Sequence, residues 1–187
     1  MLRLLFEKKG RAVWISHLDL MRLFQRAFNR AGLPLTHTQG FNPRPSVSIA
    51  LPLSVGTQSN CELLDFELDG VDVPCDEIKD RLNRSLVDGV FVKQVYTDGR
   101  KLRELAYLSC ELTMCYDSGV PRQAIDVLQN LFANEEVFVN KKTKNGIQEQ
   151  NIIPMIQSLK FQQRDDTHII ASTIVCCQNP SLNPIQI

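Results

Sequence analysis

The chain has 187 residues, 21 Lys/Arg balanced by 21 Asp/Glu, with 43% hydrophobic and 22% charged residues. That composition supports a packed core in one large domain or two small ones and excludes global disorder. No run approaches the roughly 20 apolar residues of a membrane helix, and the opening "MLRLLFEKKGR" lacks a secretory apolar region, so the chain reads as cytoplasmic, without a membrane partner.

The first segment, "RLLFEKKGRAVWI", predicts a strand–turn–strand or one long strand kinked at Lys8-Lys9-Gly10. Ser16 then suits an N-cap, with Asp19 three residues on as a capping-box variant. The helix runs from about His17 to Ala31, with Leu20, Phe24, Ala27, Phe28 and Ala31 on its apolar face. Gly32 stops it and Pro34 blocks its resumption. "SVSIALPLSVG" is extended, and Pro52 demotes it to a bulged or edge strand. "CELLDFELDG" is a strand, "PCDEIKDRLNRSL" an amphipathic helix opened by Pro74, and "VFVKQVYT" a strand. This order predicts a split βαβ, ferredoxin-like half over residues 1–99.

Residues 100–187 repeat the theme more faintly, with "TDGRKLREL" as the join. "AYLSCELTMCY" is a strand, "PRQAIDVLQNLFA" a helix from Pro121, and "VFVNKKTKNGIQEQNI" a strand entering a basic turn. "IPMIQSLKFQQ" and the strand "THIIASTIVCC" follow. The fold class expected is α+β: two ferredoxin-like halves, the second more divergent, each an antiparallel sheet with helices on one face.

The six cysteines include no C-x-x-C pair and no zinc or iron–sulfur spacing. They read as free structural thiols, and neither metal nor other cofactor is expected. The motifs of nucleotide hydrolysis, dinucleotide binding, zinc proteolysis and the nucleophile elbow are missing from the sequence. The neutral net charge is an average. Residues 1–45 hold eight Lys/Arg against two acids, and residues 46–90 three against nine. A basic third beside an acidic one matters more for partners than the sum does.

Arg22, Arg26 and Arg30 recur every fourth residue, which places three guanidiniums along one helix edge. They are either a solvated face, paired with the acidic third, or a stripe that tracks phosphates through bidentate forks. Arg44 and Lys8-Lys9 would extend the patch if the fold gathers them, and Lys141, Lys142 and Lys144 form a second basic turn. His17 sits in the first helical turn, where the dipole favours the neutral ring. It is either a simple first-turn residue or a general base. His37 lies beside the loop that follows, and His168 in a β-rich stretch reads as structural.

That loop, "QGFNPRP", resists regular structure. Gly40 admits positive φ, while Pro43 and Pro45 fix their own φ and extend Asn42 and Arg44. A stiff loop of this kind holds Phe41, Asn42 and Arg44 in a fixed posture. Either Phe41 plugs the core, or the three residues stack on and hydrogen-bond an unpaired base.

"SHLDLMRLFQRAFNRAGLPL" followed by "TQGFNPRPSVSIALPLSVGTQSNCELLDFEL" closely resembles the radical SAM-linked domain family over residues 1–70. "KKTKNGIQEQNIIPMIQSL" looks like that family's second block, although the family tends to carry an acidic-apolar-basic-Pro sequence where this chain reads Gln150, Asn151, Ile152, Ile153 and Pro154, so that an acid and an arginine are lost. The resemblance implies a bacterial domain of unknown function, fused to or encoded beside cobalamin-binding radical SAM proteins, often near ribonuclease G and ribosomal-protein genes. Since the chain has no cluster motif of its own, it implies a companion to a radical SAM protein. Paired ferredoxin-like halves also look like CRISPR repeat-processing endoribonucleases, at the level of fold alone.

The reading that results is an RNA-binding accessory to a radical SAM enzyme in tRNA or rRNA modification or processing. The alternatives are a protein–protein interaction module without RNA and a metal-independent endoribonuclease with His17 as base.

Overall fold

Alternation sets the first strand. In β1 (Leu2–Lys8) the side chains of Leu4, Phe6 and Lys8 point to one face, and all three are fully buried. The computed structural model describes residues 1–97, 99–143, 146–178 and 180–187, with residues 142 and 143 described by backbone alone. The chain is α+β and divides into two units, Met1–Arg100 and Lys101–Ile187.

The first unit continues with α1 (His17–Arg30), β2 (Val47–Ile49), β3 (Ser59–Phe66), α2 (Cys75–Ser85) and β4 (Val90–Tyr96). Its sheet has the order β2-β3-β1-β4, and every neighbouring pair is antiparallel. Each β–α–β crossover therefore brackets a strand of the other, the interleaving of a split βαβ arrangement. The register places Leu4 opposite Leu64 and Phe6 opposite Glu62. One sheet face thus carries Leu4, Phe6 and Lys8 beside Glu62, Leu64 and Phe66, and the helices cover it.

α1 starts and stops where its sequence says. The Ser16 hydroxyl accepts the Asp19 N–H at 3.2 Å and donates to the Asp19 carboxylate at 2.7 Å. Gly32 takes φ 65°, and the Leu33 N–H returns to the Phe28 carbonyl at 3.0 Å. Leu20, Phe24, Ala27 and Phe28 are its buried residues. Phe24 meets Phe6 edge-on at 4.8 Å, and Phe28 meets Phe66 at 4.8 Å. Ile78 and Leu82 of α2 complete the core.

Two segments refine their sequence reading. Residues 3–15 form one strand and then a 3₁₀ turn, Gly10–Trp14, because Gly10 adopts φ 53° and ends the extension. The run after Pro45 forms only the short edge strand β2, and the chain has left the ladder by Pro52.

The second unit holds β5 (Tyr107–Cys115), α3 (Ala124–Phe132), β6 (Phe138–Thr143), β7 (Gly146–Asn151), β8 (Ile156–Asp165) and β9 (His168–Cys176). A three-stranded sheet, β5-β9-β8, stands beside the hairpin β6-β7. Among the described residues this unit has one α-helix. Where a repeat of the first unit would place another, Pro154 sits in a one-turn 3₁₀ segment that leads straight into β8. Phe132 of α3 packs on Phe161 of β8 at 5.8 Å, and Ile152, Met155, Val175 and Leu182 form a small core. No helix among the described residues is long and apolar enough to cross a membrane.

Candidate functional site

The arginines of α1 fall on its solvent side. Each step of four residues advances about 40° around the helix and about 6 Å along it, so Arg22, Arg26 and Arg30 make a slowly turning stripe opposite the buried face. All three are exposed. Arg22 pairs with Asp19 at 3.1 Å, and Arg30 donates to the Ser85 carbonyl at 2.6 Å. Arg26 makes no ion pair or hydrogen bond among the described residues. No arginine of the stripe pairs with an acid of residues 46–90 among the described residues: Asp65 holds Arg3 instead, through bonds of 2.5 and 2.9 Å. The Ser16 hydroxyl and then Arg22 hold the Asp19 carboxyl below its usual range.

The loop after α1 is closed at its neck. Thr38 N–H donates to the Arg44 carbonyl at 2.8 Å, and Arg44 N–H donates to the Thr38 hydroxyl at 3.1 Å. His37 bridges Pro45, and Ser46 N–H donates to the Thr36 carbonyl at 2.7 Å. Between these ties Gly40 takes φ 143°, a conformation that a side chain would strain. Phe41, Asn42 and Arg44 are all exposed, and Phe41 reaches 112% of its reference exposure. The core-plug alternative for Phe41 is therefore wrong: its ring stands in solvent.

The lysines divide. Lys9 turns to Glu7 at 2.9 Å, and Lys8 points inward, so neither extends the arginine patch. Lys141 donates to the Ser181 carbonyl at 3.3 Å within the second unit. The Lys142 side chain and Lys144 lie outside the described residues.

A second polar cluster sits on the helix-facing side of the first sheet. The fully buried Lys8 ammonium donates to the Ile15 carbonyl at 2.8 Å, and burial lowers its pKa. Burial raises the pKa of Glu62, against the opposing pull of Ser59, Lys8 and His17. His17 Nδ1 is buried without a hydrogen-bond partner among the described residues. His37 belongs to the loop neck, whose Thr36 bonds beyond the Phe66 end of β3. Glu62 and Phe66 are roughly 13 Å apart at the usual strand rise, so His17 faces the middle of β3 whereas His37 lies beyond its Phe66 end.

Sequence reasoning missed Trp14. It is the chain's one tryptophan and is 72% exposed in the turn before α1. A lone tryptophan just before the N-cap Ser16 was the available signal. Lys8 was also missed, because "KKG" reads as a turn until the register with β3 and β4 places Lys8 inside.

The family described as "Uncharacterized protein conserved in bacteria (DUF2344)" matches residues 1–184. Among curated proteins, none matches the chain.

Proposed function

The chain belongs to this uncharacterized bacterial family, and within it we propose that the protein binds RNA through the loop of residues 38–44 and the arginine edge of α1. The observation that carries the reading is the loop. Its neck is tied by three backbone bonds, counting the Thr38 hydroxyl as an acceptor, while Phe41 stands entirely in solvent. An ordered aromatic with no core to fill is a stacking surface for an unpaired base, and the pre-formed loop lowers the entropy lost on binding. Arg44 beside it and Arg26 on α1 are exposed guanidiniums suited to phosphate oxygens.

The protein would present a tRNA or rRNA segment to a radical SAM partner. That partner rests on the sequence resemblance of residues 1–70, and the chain itself performs no step of the partner's chemistry in this reading. The test is filter binding of bulk tRNA over a salt series. Binding at low salt that weakens steeply as salt rises supports the reading, and absence of binding at low salt rejects it.

A second reading, a protein-docking module, draws on the second unit. α3 buries none of its residues, and Val127, Leu131, Phe138 and Ile147 are exposed apolar side chains. Co-purification of a partner that survives nuclease treatment would favour it.

A further inference from the structure

Trp14 is held more firmly than its exposure requires. The peptide before it is fixed where Gly56 N–H donates to the Val13 carbonyl at 2.8 Å. One peptide further on, the Ile15 carbonyl accepts from the buried Lys8 ammonium at 2.8 Å. Ile15 N–H closes the turn on the Ala12 carbonyl at 3.0 Å. Gly56 lies under the ring: a Cβ there would stand 3.6 Å from the Trp14 six-membered ring. Yet the indole is 72% exposed, in the company of Leu18 at 67% and Val55 at 54%. A large aromatic that contributes little to the core, mounted on bonds from both sides, is placed for something outside the molecule.

Its place in the turn that leads through Ser16 into α1 says what. Leu18, Arg22, Arg26 and Arg30 follow one another at four-residue steps, so the apolar group at the head of α1 runs directly into the guanidinium stripe. The steps of about 6 Å suit a flexible backbone that carries one charge per unit. Asp19, the acid in the first turn, is already engaged by Ser16 and Arg22. A flat apolar platform followed by regularly spaced cations has the chemistry of a base and the phosphates beyond it. A protein interface of useful area would need a wider apolar centre than Trp14, Leu18 and Val55 provide.

We propose that Trp14, in the turn just before α1 and with Val55 next to the Gly56 that lies under its ring, is a stacking platform for one unpaired RNA base near the head of the Arg22–Arg26–Arg30 stripe, so that a single strand leaves Trp14 along α1. The inference rests on the RNA-binding reading and adds a second aromatic contact to it. Phe41 belongs to the Phe66 end of β3, whereas the Trp14 turn follows the Lys8 end of β1, which pairs with Ser59 at the other end of β3. Bound RNA would therefore be gripped toward both ends of the first unit's sheet.

Because Trp14 is the only tryptophan, its emission reports this site alone. The experiment titrates the full chain with a short mixed-sequence single-stranded RNA, following tryptophan emission in parallel with the polarisation of the same RNA carrying a label. The proposal expects the emission to be quenched in step with polarisation. It expects Trp14→Ala to weaken binding roughly tenfold, Trp14→Phe to retain most of the affinity, and both variants to melt near the parent. If the RNA binds while emission stays unchanged and Trp14→Ala binds like the parent, the platform is overturned and RNA binding stands. A surface reserved for a protein partner gives that same result. If quenching is equal with blunt duplex RNA, the unpaired-base assignment is wrong. If no RNA binds at low salt, the parent reading fails and takes this one with it.

Discussion

Phe28 and Phe41 are the same residue type on either side of a short connection, and they behave in opposite ways. Phe28 is fully buried, with its ring 4.8 Å from that of Phe66. Phe41 exceeds its reference exposure at 112%. The difference comes from the backbone. α1 repeats its apolar residues with the helix period, so Phe28 is delivered to the sheet along with Leu20 and Phe24. The loop is set by Gly40, two prolines and the tie between Thr38 and Arg44, none of which turns Phe41 inward. Hydrophobicity favours burial for both rings, and chain geometry decides which obtains it.

The largest expected effect tests the buried side of that comparison. Phe28→Ala should cost about 3–5 kcal/mol of stability, since it removes a ring from a filled core. Denaturant titration would read the loss, and RNA binding by the folded fraction should be unchanged. A loss of affinity without a loss of stability would mean that Phe28 is not the structural member of the pair.

Lys8 is an intermediate case, a charged residue inside the core whose task is to hold Ile15. Lys8→Met keeps the length and orphans the Ile15 carbonyl, at a cost of about 1–3 kcal/mol. The Trp14 emission maximum should shift as the turn loosens. A variant as stable as the parent would show that the ammonium does not organise that turn.

A smaller effect belongs to the exposed side. Arg26→Ala should weaken RNA binding by about 1 kcal/mol, similarly across RNA sequences, and reduce the salt slope, because phosphate contacts position without specifying. An unchanged slope would remove Arg26 from the interface.

The smallest effect is one of pH. Burial raises the Glu62 pKa above its reference value of 4.5, so the folded protein holds that proton more tightly than the unfolded chain does. Stability is favoured below the ordinary carboxylate value and falls as pH rises through the window above it. Melting curves between those limits should show that decline in the parent and a flatter profile in Glu62→Gln. A decline of the same steepness in the variant would assign it to another group.

The sequence disclosed more of the first unit than of the second, for reasons visible in particular residues. Ser16, the apolar period and Gly32 bounded α1, because capping and helical periodicity are local. The order of strands and helices carried the interleaved sheet for the same reason. Lys8 was hidden because its direction depends on which strands flank β1 and on the bulges in their register. Arg22 was legible as a partner of Asp19, three residues away, but the bond from Arg30 to Ser85 joins two helices and needed the fold. The stiffness of residues 39–45 could be read from glycine and proline, whereas the outward aim of Phe41 could not, since fixing φ does not fix which side of a loop faces the core. In the second unit, "IPMIQSLKFQQ" has too short an apolar run to reveal its 3₁₀ turn and strand.

The most direct test of the central claim is Phe41→Ala, measured by thermal melting and RNA binding on the same preparation. If the ring is a stacking surface on a pre-formed loop, the melting temperature stays at the parent value and binding falls by about 1–3 kcal/mol. A variant that melts like the parent and binds RNA with undiminished affinity would contradict the claim, and Phe41 would have no part in recognition.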